Sequence, residues 1–250
     1  MKKGLLLCAV MCLVILLSQQ FALADIYLKQ KQRTEAFSMM GQEQHAQEVE
    51  TESWISDSAM WTQTGDKGIL IKEDGSMIML DHLGKTYTEM NMNYEKMAEA
   101  SGEKMDAEEM AGLKQFMGKM MDIKISVEPT AEKKQINGYH CQKYIQTMEM
   151  GMGTNRSVIW ATTDINVDAD VYAKFSASIL ANQPGMEQSL DKIVHEMKKI
   201  KGVQVLNEST MNMMGQEMKS SVALLEFKEG KAPSNVFSIP KGYTKKAFGG

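Results

Sequence analysis

Residues 68–80 read Gly-Ile-Leu-Ile-Lys-Glu-Asp-Gly-Ser-Met-Ile-Met-Leu, and this stretch decides the fold class. Two short runs of β-forming residues, 68–72 and 76–80, flank the pair Asp74-Gly75. An Asp-Gly pair between two such runs is a strong hairpin signal, because these residues tolerate the positive φ angles of tight turns. We therefore expect two antiparallel strands joined at Asp74-Gly75.

Turn residues also separate β-prone runs on both sides of this hairpin. Residues 65–68, Gly-Asp-Lys-Gly, precede it, and Leu83-Gly84 follows it before another β-prone run at 85–90. Extended, polar-rich stretches lie at 26–37 and 45–55. Turn residues between short β-prone runs predict a β-meander over residues 26–90.

More strands are expected in the second half of the chain. A run at 122–127 is predicted to end at Pro129, and 133–162 are predicted to hold two or three strands around the turn pair Asn137-Gly138. Three closing strands are expected at residues 203–207, 210–214 and 219–228, followed by an extended tail with a Pro-Lys-Gly turn.

Three segments have the apolar spacing of amphipathic helices. Residues 93–121 are rich in Glu, Lys, Ala and Met, and Asp168 is a suitable cap for a second helix. A third helix is predicted to open at Pro184 and to end before Gly202. Helices inserted at two points between strand runs predict an α+β fold with an antiparallel sheet. Without a repeat or linker, residues 25–250 are expected to form one domain.

The amino terminus has the pattern of a cleavable signal peptide. Lys2 and Lys3 precede an apolar run at residues 5–17, and Ala22-Leu23-Ala24 places small residues before the predicted cleavage site. The apolar run is shorter than the roughly 20 residues of a membrane span. We expect residues 1–24 to be removed, with no transmembrane anchor left, and the protein to be exported to the periplasm or the extracellular space.

Charge and cysteine content exclude some partners. Loss of Lys2 and Lys3 with the signal peptide changes the formal net charge from −4 to −6. An acidic chain without a basic run is unsuited to nucleic acid, which is bound through clustered Lys and Arg. Cys141 is the only cysteine outside the signal peptide, so no internal disulfide is expected.

Methionine is unusually frequent, with 24 in the full sequence. Met148, Met150 and Met152 alternate along one predicted strand and so share a face. Three interpretations stay open: methionine as a filler of irregular core space, as an adaptable lining for an apolar ligand, or as a thioether ligand for Cu(I) or Ag(I).

Several short motifs together resemble a known family. They are Asp25-Ile26-Tyr27, Lys85-Thr86-Tyr87, the stretch 136–144 (Ile-Asn-Gly-Tyr-His-Cys-Gln-Lys-Tyr) and the stretch 237–243 (Phe-Ser-Ile-Pro-Lys-Gly-Tyr). The chain resembles the exported bacterial family called domain of unknown function 4412, which is similar to periplasmic lipoprotein carriers of the LolA and LolB type. The resemblance implies a strongly curved antiparallel sheet, an incomplete barrel, with helices covering its concave side and a cavity for acyl chains.

A cavity of this kind would need adaptable apolar side chains from strands and helices. The expected lining residues are Leu113, Phe116, Met117, Met148, Met150, Met152, Trp160, Met211 and Met213. The resulting hypothesis is an exported, non-enzymatic carrier of a lipid or acyl chain. The alternatives are a methionine-based Cu(I)-binding protein and a structural envelope protein without a small ligand.

No catalytic or cofactor motif supports a different class of function. The sequence has no G-x-S-x-G, P-loop, G-x-G-x-x-G, H-E-x-x-H, C-x-x-C or EF-hand pattern. His140 adjoins Cys141, but neighbours on a strand point to opposite faces and so cannot readily chelate one ion. We therefore expect no catalytic residues, no cofactor and no structural zinc or calcium site.

Overall fold

A computed structural model describes residues 25–39, 42–91, 112, 123–151, 153–165, 190–213 and 215–247. The first strands along the chain are β1 (Asp25–Thr34), β2 (Phe37–Met39), β3 (Gln42–Gln44), β4 (Gln47–Ile55), β5 (Ala59–Thr64), β6 (Lys67–Lys72), β7 (Ser76–Asp81) and β8 (Thr86–Asn91). The remaining elements are β9 (Lys124–Ile136), β10 (Tyr139–Met150), β11 (Gly153–Thr162), helix α1 (Leu190–Met197), β12 (Val203–Met213), β13 (Gln216–Gly230) and β14 (Thr244–Lys245).

Twelve of these strands form one open sheet. Their order is β14-β8-β7-β6-β5-β4-β1-β13-β12-β11-β10-β9, and β2 pairs separately with β3. Strand β1 joins the two halves, because it pairs with β4 on one side and with β13 on the other. All pairings within the large sheet are antiparallel except that of β14 with β8. The expected antiparallel sheet is confirmed with this one exception, and among the described strands it does not close into a barrel.

Two hairpins form where local turn chemistry predicts them. In the turn before β7, Gly75 has a φ of +78°, and the Ser76 backbone N–H donates to Asp74 Oδ1 at 2.9 Å. Asn137 and Gly138, with φ of +50° and +87°, connect β9 to β10 as a type I′ turn requires. Asn137 Nδ2 also donates to the Leu224 carbonyl at 3.2 Å, so this turn contacts β13.

The strand prediction was wrong at Pro129. Strand β9 continues through this residue to Ile136, with Pro129 opposite Tyr144 and an irregular register nearby. Among the described strands it pairs with β10 alone and so is an edge strand, a position in which proline is tolerated. The strands predicted at 203–207 and 210–214 are one strand, β12, and β5 was not predicted as a separate strand.

Only the last of the three predicted helices can be compared with the structure. Helix α1 spans Leu190–Met197, so it ends five residues before Gly202, which has a φ of +81°, and not directly before it as predicted. The helices predicted at 93–121 and after Asp168 lie outside the described residues, as does the predicted start at Pro184. No helix within the described part of the chain is long and apolar enough to cross a membrane.

Four hydrophobic clusters hold the described strands and helix together, and the second of them is formed by Val127, Tyr144, Ile159, Ala161 and Ile200. The first is formed by Ile26, Leu28, Ile55, Cys141, Trp160, Val203, Val205 and Leu224. Helix α1 packs on β9 and β10 through Ile193 and Met197, against Ile125 and Met148. In the third cluster, Leu70, Ile78 and Leu80 lie under the carboxyl-terminal segment that carries Phe237, Ile239 and Tyr243. The carboxyl-terminal segment therefore covers one face of β6–β8.

Candidate ligand-binding face

Strand register places six apolar side chains in one continuous row. Each residue lies directly opposite the next across β1, β4, β5, β6, β7 and β8, and directly opposed residues share a face. We call this set the apolar row: Ile26, Ile55, Met60, Ile71, Met77 and Met90. Neighbouring strands lie about 4.8 Å apart, so the row is about 24 Å long.

The apolar row passes from the core to half-buried positions. Ile26 and Ile55 are each 2% exposed and belong to the first hydrophobic cluster. From Met60 to Met90 the side chains are half-buried, and Ile69, on the same face as Ile71, is 38% exposed. One end of the row is therefore anchored in the core, whereas the other keeps apolar surface that a ligand could cover.

A second row beside the apolar row is partly polar. It comprises Leu28, Ser53, Thr62, Ile69, Met79 and Thr88, again directly opposed from strand to strand. The Ser53 and Thr62 hydroxyls are 3.0 Å apart and hydrogen-bonded, which satisfies these groups close to the buried end. The face is thus mainly apolar at β6–β8, with paired hydroxyls toward its centre.

Two of the predicted lining residues, Met148 and Met211, lie on this face near the opposite edge of the sheet. Met148 is directly opposite Asn155, and Asn155 is directly opposite Met211. The backbones of Met150 and Met213 both pair with Gly153. The structure therefore brings these strand positions together. Leu113, Phe116, Met117 and Met152 lie outside the described residues.

Trp160 is not brought together with Met148 and Met211. It lies five residues from Asn155 on a regular stretch of β11, so its side chain points away from that of Asn155, and it packs instead in the first hydrophobic cluster. The Lys134 Nζ is 4.0 Å from the centroid of the Trp160 ring, a cation–π contact, and the indole Nε1 is buried without a hydrogen-bond partner. Trp160 and the two methionines thus cannot line one surface.

Polar side chains separate helix α1 from the methionines of β12 on this face. Ser157 is 1% exposed, and its hydroxyl lies 2.7 Å from the Ser209 hydroxyl across the β11–β12 pair. Gln146 Nε2 donates to Met197 Sδ at 3.0 Å, while Asn155 Oδ1 is buried without a partner. Burial without a hydrogen bond is costly, so the Asn155 Oδ1 is an unpaired acceptor among these polar side chains.

A cleft of about 380 Å³ lies at the other end of β9–β11, but its residues do not form a catalytic set. The Asp164 Oδ2 accepts from the His140 backbone N–H at 2.7 Å and lies 3.0 Å from its Nδ1, contacts that lower the pKa of Asp164. Burial raises the pKa of the Cys141 thiol, and this thiol is 2% exposed. A buried thiol held protonated is a poor nucleophile, so Cys141 is a packing residue.

The described residues contain no group of three His, Cys, Asp or Glu side chains that could hold a metal ion.

The sequence signal for the apolar face was the alternation of Ile69, Ile71, Met77 and Met79, which the predicted set of lining residues did not include. What the sequence could not show was the pairing of these residues with Met60 and Met90.

Comparisons with known proteins do not assign a family. No protein-family model matches the chain, and no curated protein matches it in sequence. Among solved structures, the chain is similar to a crystal structure described as a candidate outer membrane lipoprotein-sorting protein domain from Vibrio parahaemolyticus. The alignment covers 86% of this chain and 89% of that chain, with 7% identity and a TM-score of 0.31. Similarity at this level carries no argument about function, and membership of domain of unknown function 4412 stays a prediction.

Proposed function

We propose that the protein is an exported, non-enzymatic carrier that binds a lipid or another apolar ligand with an acyl chain. The observation that carries this proposal is the apolar row, which runs for about 24 Å at the sheet's strand spacing. Export follows from the signal peptide predicted at residues 1–24.

The shape and chemistry of the apolar row suit an elongated apolar ligand. Its half-buried members from Met60 to Met90 lie side by side, so an extended chain laid across the strands would contact each in turn. Each methylene removed from water contributes about 0.8 kcal/mol, so binding should strengthen with acyl-chain length. Flexible Met77 and Met90 side chains can adapt to chains of different shape.

Dye binding to the purified native protein tests the proposal. A dye that fluoresces in apolar surroundings should bind saturably, and fatty acids should displace it, longer chains at lower concentration. Ile71→Asn should weaken dye binding at least tenfold, because it places an amide in the middle of the apolar row. The matched control is Leu225→Asn, since Leu225 is 46% exposed and lies outside the row. Urea unfolding of both variants shows that each is folded.

Two results would contradict the carrier hypothesis. One is the absence of saturable dye or fatty-acid binding by the folded protein. The other is equal weakening by Ile71→Asn and Leu225→Asn, which would show that the dye binds elsewhere. Replacement of Met77 and Met90 by Leu should preserve dye binding, because leucine keeps the row apolar.

A further inference from the structure

The same arrangement of three methionines occurs twice in the sheet. In the first, which we call the β7–β8 cluster, Met77 and Met79 alternate on β7, and Met90 of β8 is directly opposite Met77. In the second, the β12–β13 cluster, Met211 and Met213 alternate on β12, and Met218 of β13 is directly opposite Met211. Each cluster thus combines a Met-x-Met strand with one methionine opposite its first member.

Strand geometry lets the three sulfur atoms of each cluster converge. Directly opposed residues have Cβ atoms about 4.5–5.5 Å apart, and residues two apart on a strand are separated by about 6.6 Å. All three side chains share a face, and methionine has three rotatable bonds with which to bring its sulfur toward a common point. The six methionines of the two clusters are half-buried, which leaves access from solvent.

Core packing does not explain the β7–β8 cluster. On β7, the tightly packed face carries Ile78 and Leu80, which are 1% and 3% exposed, whereas the half-buried face carries Met77 and Met79. Branched residues suit strands better than methionine does, and Ile69 and Ile71 occupy the equivalent positions on the neighbouring β6. Strand β7 therefore carries methionine where its neighbour β6 carries isoleucine, and core packing does not account for these sulfur atoms.

We propose that each of the two clusters binds one soft monovalent cation, Cu(I) or Ag(I), through three thioether sulfurs. Thioethers are neutral, soft ligands that select Cu(I) over harder divalent ions such as Mg²⁺ or Ca²⁺. The β7–β8 cluster shares Met77 and Met90 with the apolar row, but cation binding there depends on sulfur, whereas binding of an acyl chain depends on apolar surface.

Silver titration of the purified exported protein, in chloride-free buffer, tests the two sites. Met77→Leu/Met90→Leu should lose one bound Ag(I) per chain relative to the unchanged protein, and Met211→Leu/Met218→Leu should also lose one. The matched control is Met60→Leu/Met148→Leu, which also removes two thioethers. Met60 faces Ile55 and Ile71, and Met148 faces Ile125 and Asn155, so neither has a methionine directly opposite. The control should lose none.

Competition against a Cu(I)-specific colour-forming chelator, under reducing conditions, should give the same pattern. X-ray absorption of the Cu(I)-loaded unchanged protein supplies a measurement that does not depend on variants, and it should show three sulfur neighbours for each bound copper. The proposal is overturned if the cluster variants retain all their bound cations, if the control loses as many, or if nitrogen and oxygen dominate the copper coordination. The two hypotheses can fail separately, because cation binding is read from silver and copper stoichiometry, whereas the carrier hypothesis is read from displacement of the dye by fatty acids.

Discussion

Replacement of Gly202 by alanine tests how the chain turns from helix α1 into β12. Gly202 has a φ of +81°, and a Cβ added there would overlap the Thr162 carbonyl oxygen and lie 2.5 Å from its carbon. A left-handed backbone costs about 1–2 kcal/mol for a residue with a Cβ. Displacing packed neighbours typically adds about 1–3 kcal/mol, so Gly202→Ala should lower the free energy of unfolding by about 2–5 kcal/mol.

Urea unfolding followed by tryptophan fluorescence measures this loss. The control is Gly138→Ala, because Gly138 has a similar φ of +87° but no heavy atom within 4 Å of its added Cβ. The control should lose only the backbone contribution of about 1–2 kcal/mol. Equal losses in the two variants would refute the close approach of Gly202 to Thr162. In Gly202→Ala, displacement of the backbone by the added Cβ should also weaken the hydrogen bond from the neighbouring Lys201 backbone N–H to Tyr144 Oη, which is 3.2 Å long.

Three further predictions concern Asp164, Cys141 and the amino terminus. The His140 backbone N–H and ring lower the pKa of Asp164 below its ordinary 3.8. The ionised Asp164 carboxylate therefore stabilises the folded protein fully above pH 3.8, and this stabilisation is lost as the pH falls through the lowered pKa. Asp164→Asn should therefore flatten the fall in unfolding free energy in acid, and an unchanged slope would argue against the pair. Cys141, buried and with a raised thiol pKa, should resist alkylation in the native protein but titrate as about one thiol per chain after denaturation. Amino-terminal sequencing of the exported protein should begin at Asp25, whereas a retained residue 5–17 segment would contradict cleavage.

The local parts of the fold could be predicted because their causes are local. Asp74-Gly75 and Asn137-Gly138 adopt the expected turns, and the alternation within 68–72 and 76–80 produces β6 and β7. Gly202 adopts the expected positive φ, although α1 ends earlier, at Met197. Each of these depends on a few neighbouring residues whose φ preferences or spacing favour one structure.

The candidate site was predictable only in part, because it depends on strand register. Met148 and Met211 were expected near each other, and they lie on one face on either side of Asn155. Trp160 was expected beside them but points away from Asn155 and packs in the first hydrophobic cluster. A shift of one residue in register reverses the face of every side chain on a strand, and nothing within a single strand specifies its partner. The Met77–Met90 pair was missed for the same reason.

Pro129 shows how position in the sheet overrides local preference. A proline in a central strand would leave a neighbouring carbonyl without its donor, which is the reason for predicting that the run ends there. The sequence around Pro129 does not state whether the strand is central or at an edge. That information comes from the order of all twelve strands, in which β9 is last.

The edge position of β9 also has a consequence for the behaviour of many copies together. An open sheet can recruit the strand of another molecule at its edge and grow into fibrils. Along β9, Pro129 interrupts the row of donors, and the charged Glu128, Glu132 and Lys133 side chains are exposed beside it. At the other edge of the sheet, the short strand β14 pairs with Thr86 and Tyr87 of β8. These features make the addition of a strand from another molecule unfavourable, so we expect the protein to resist fibril formation at high concentration.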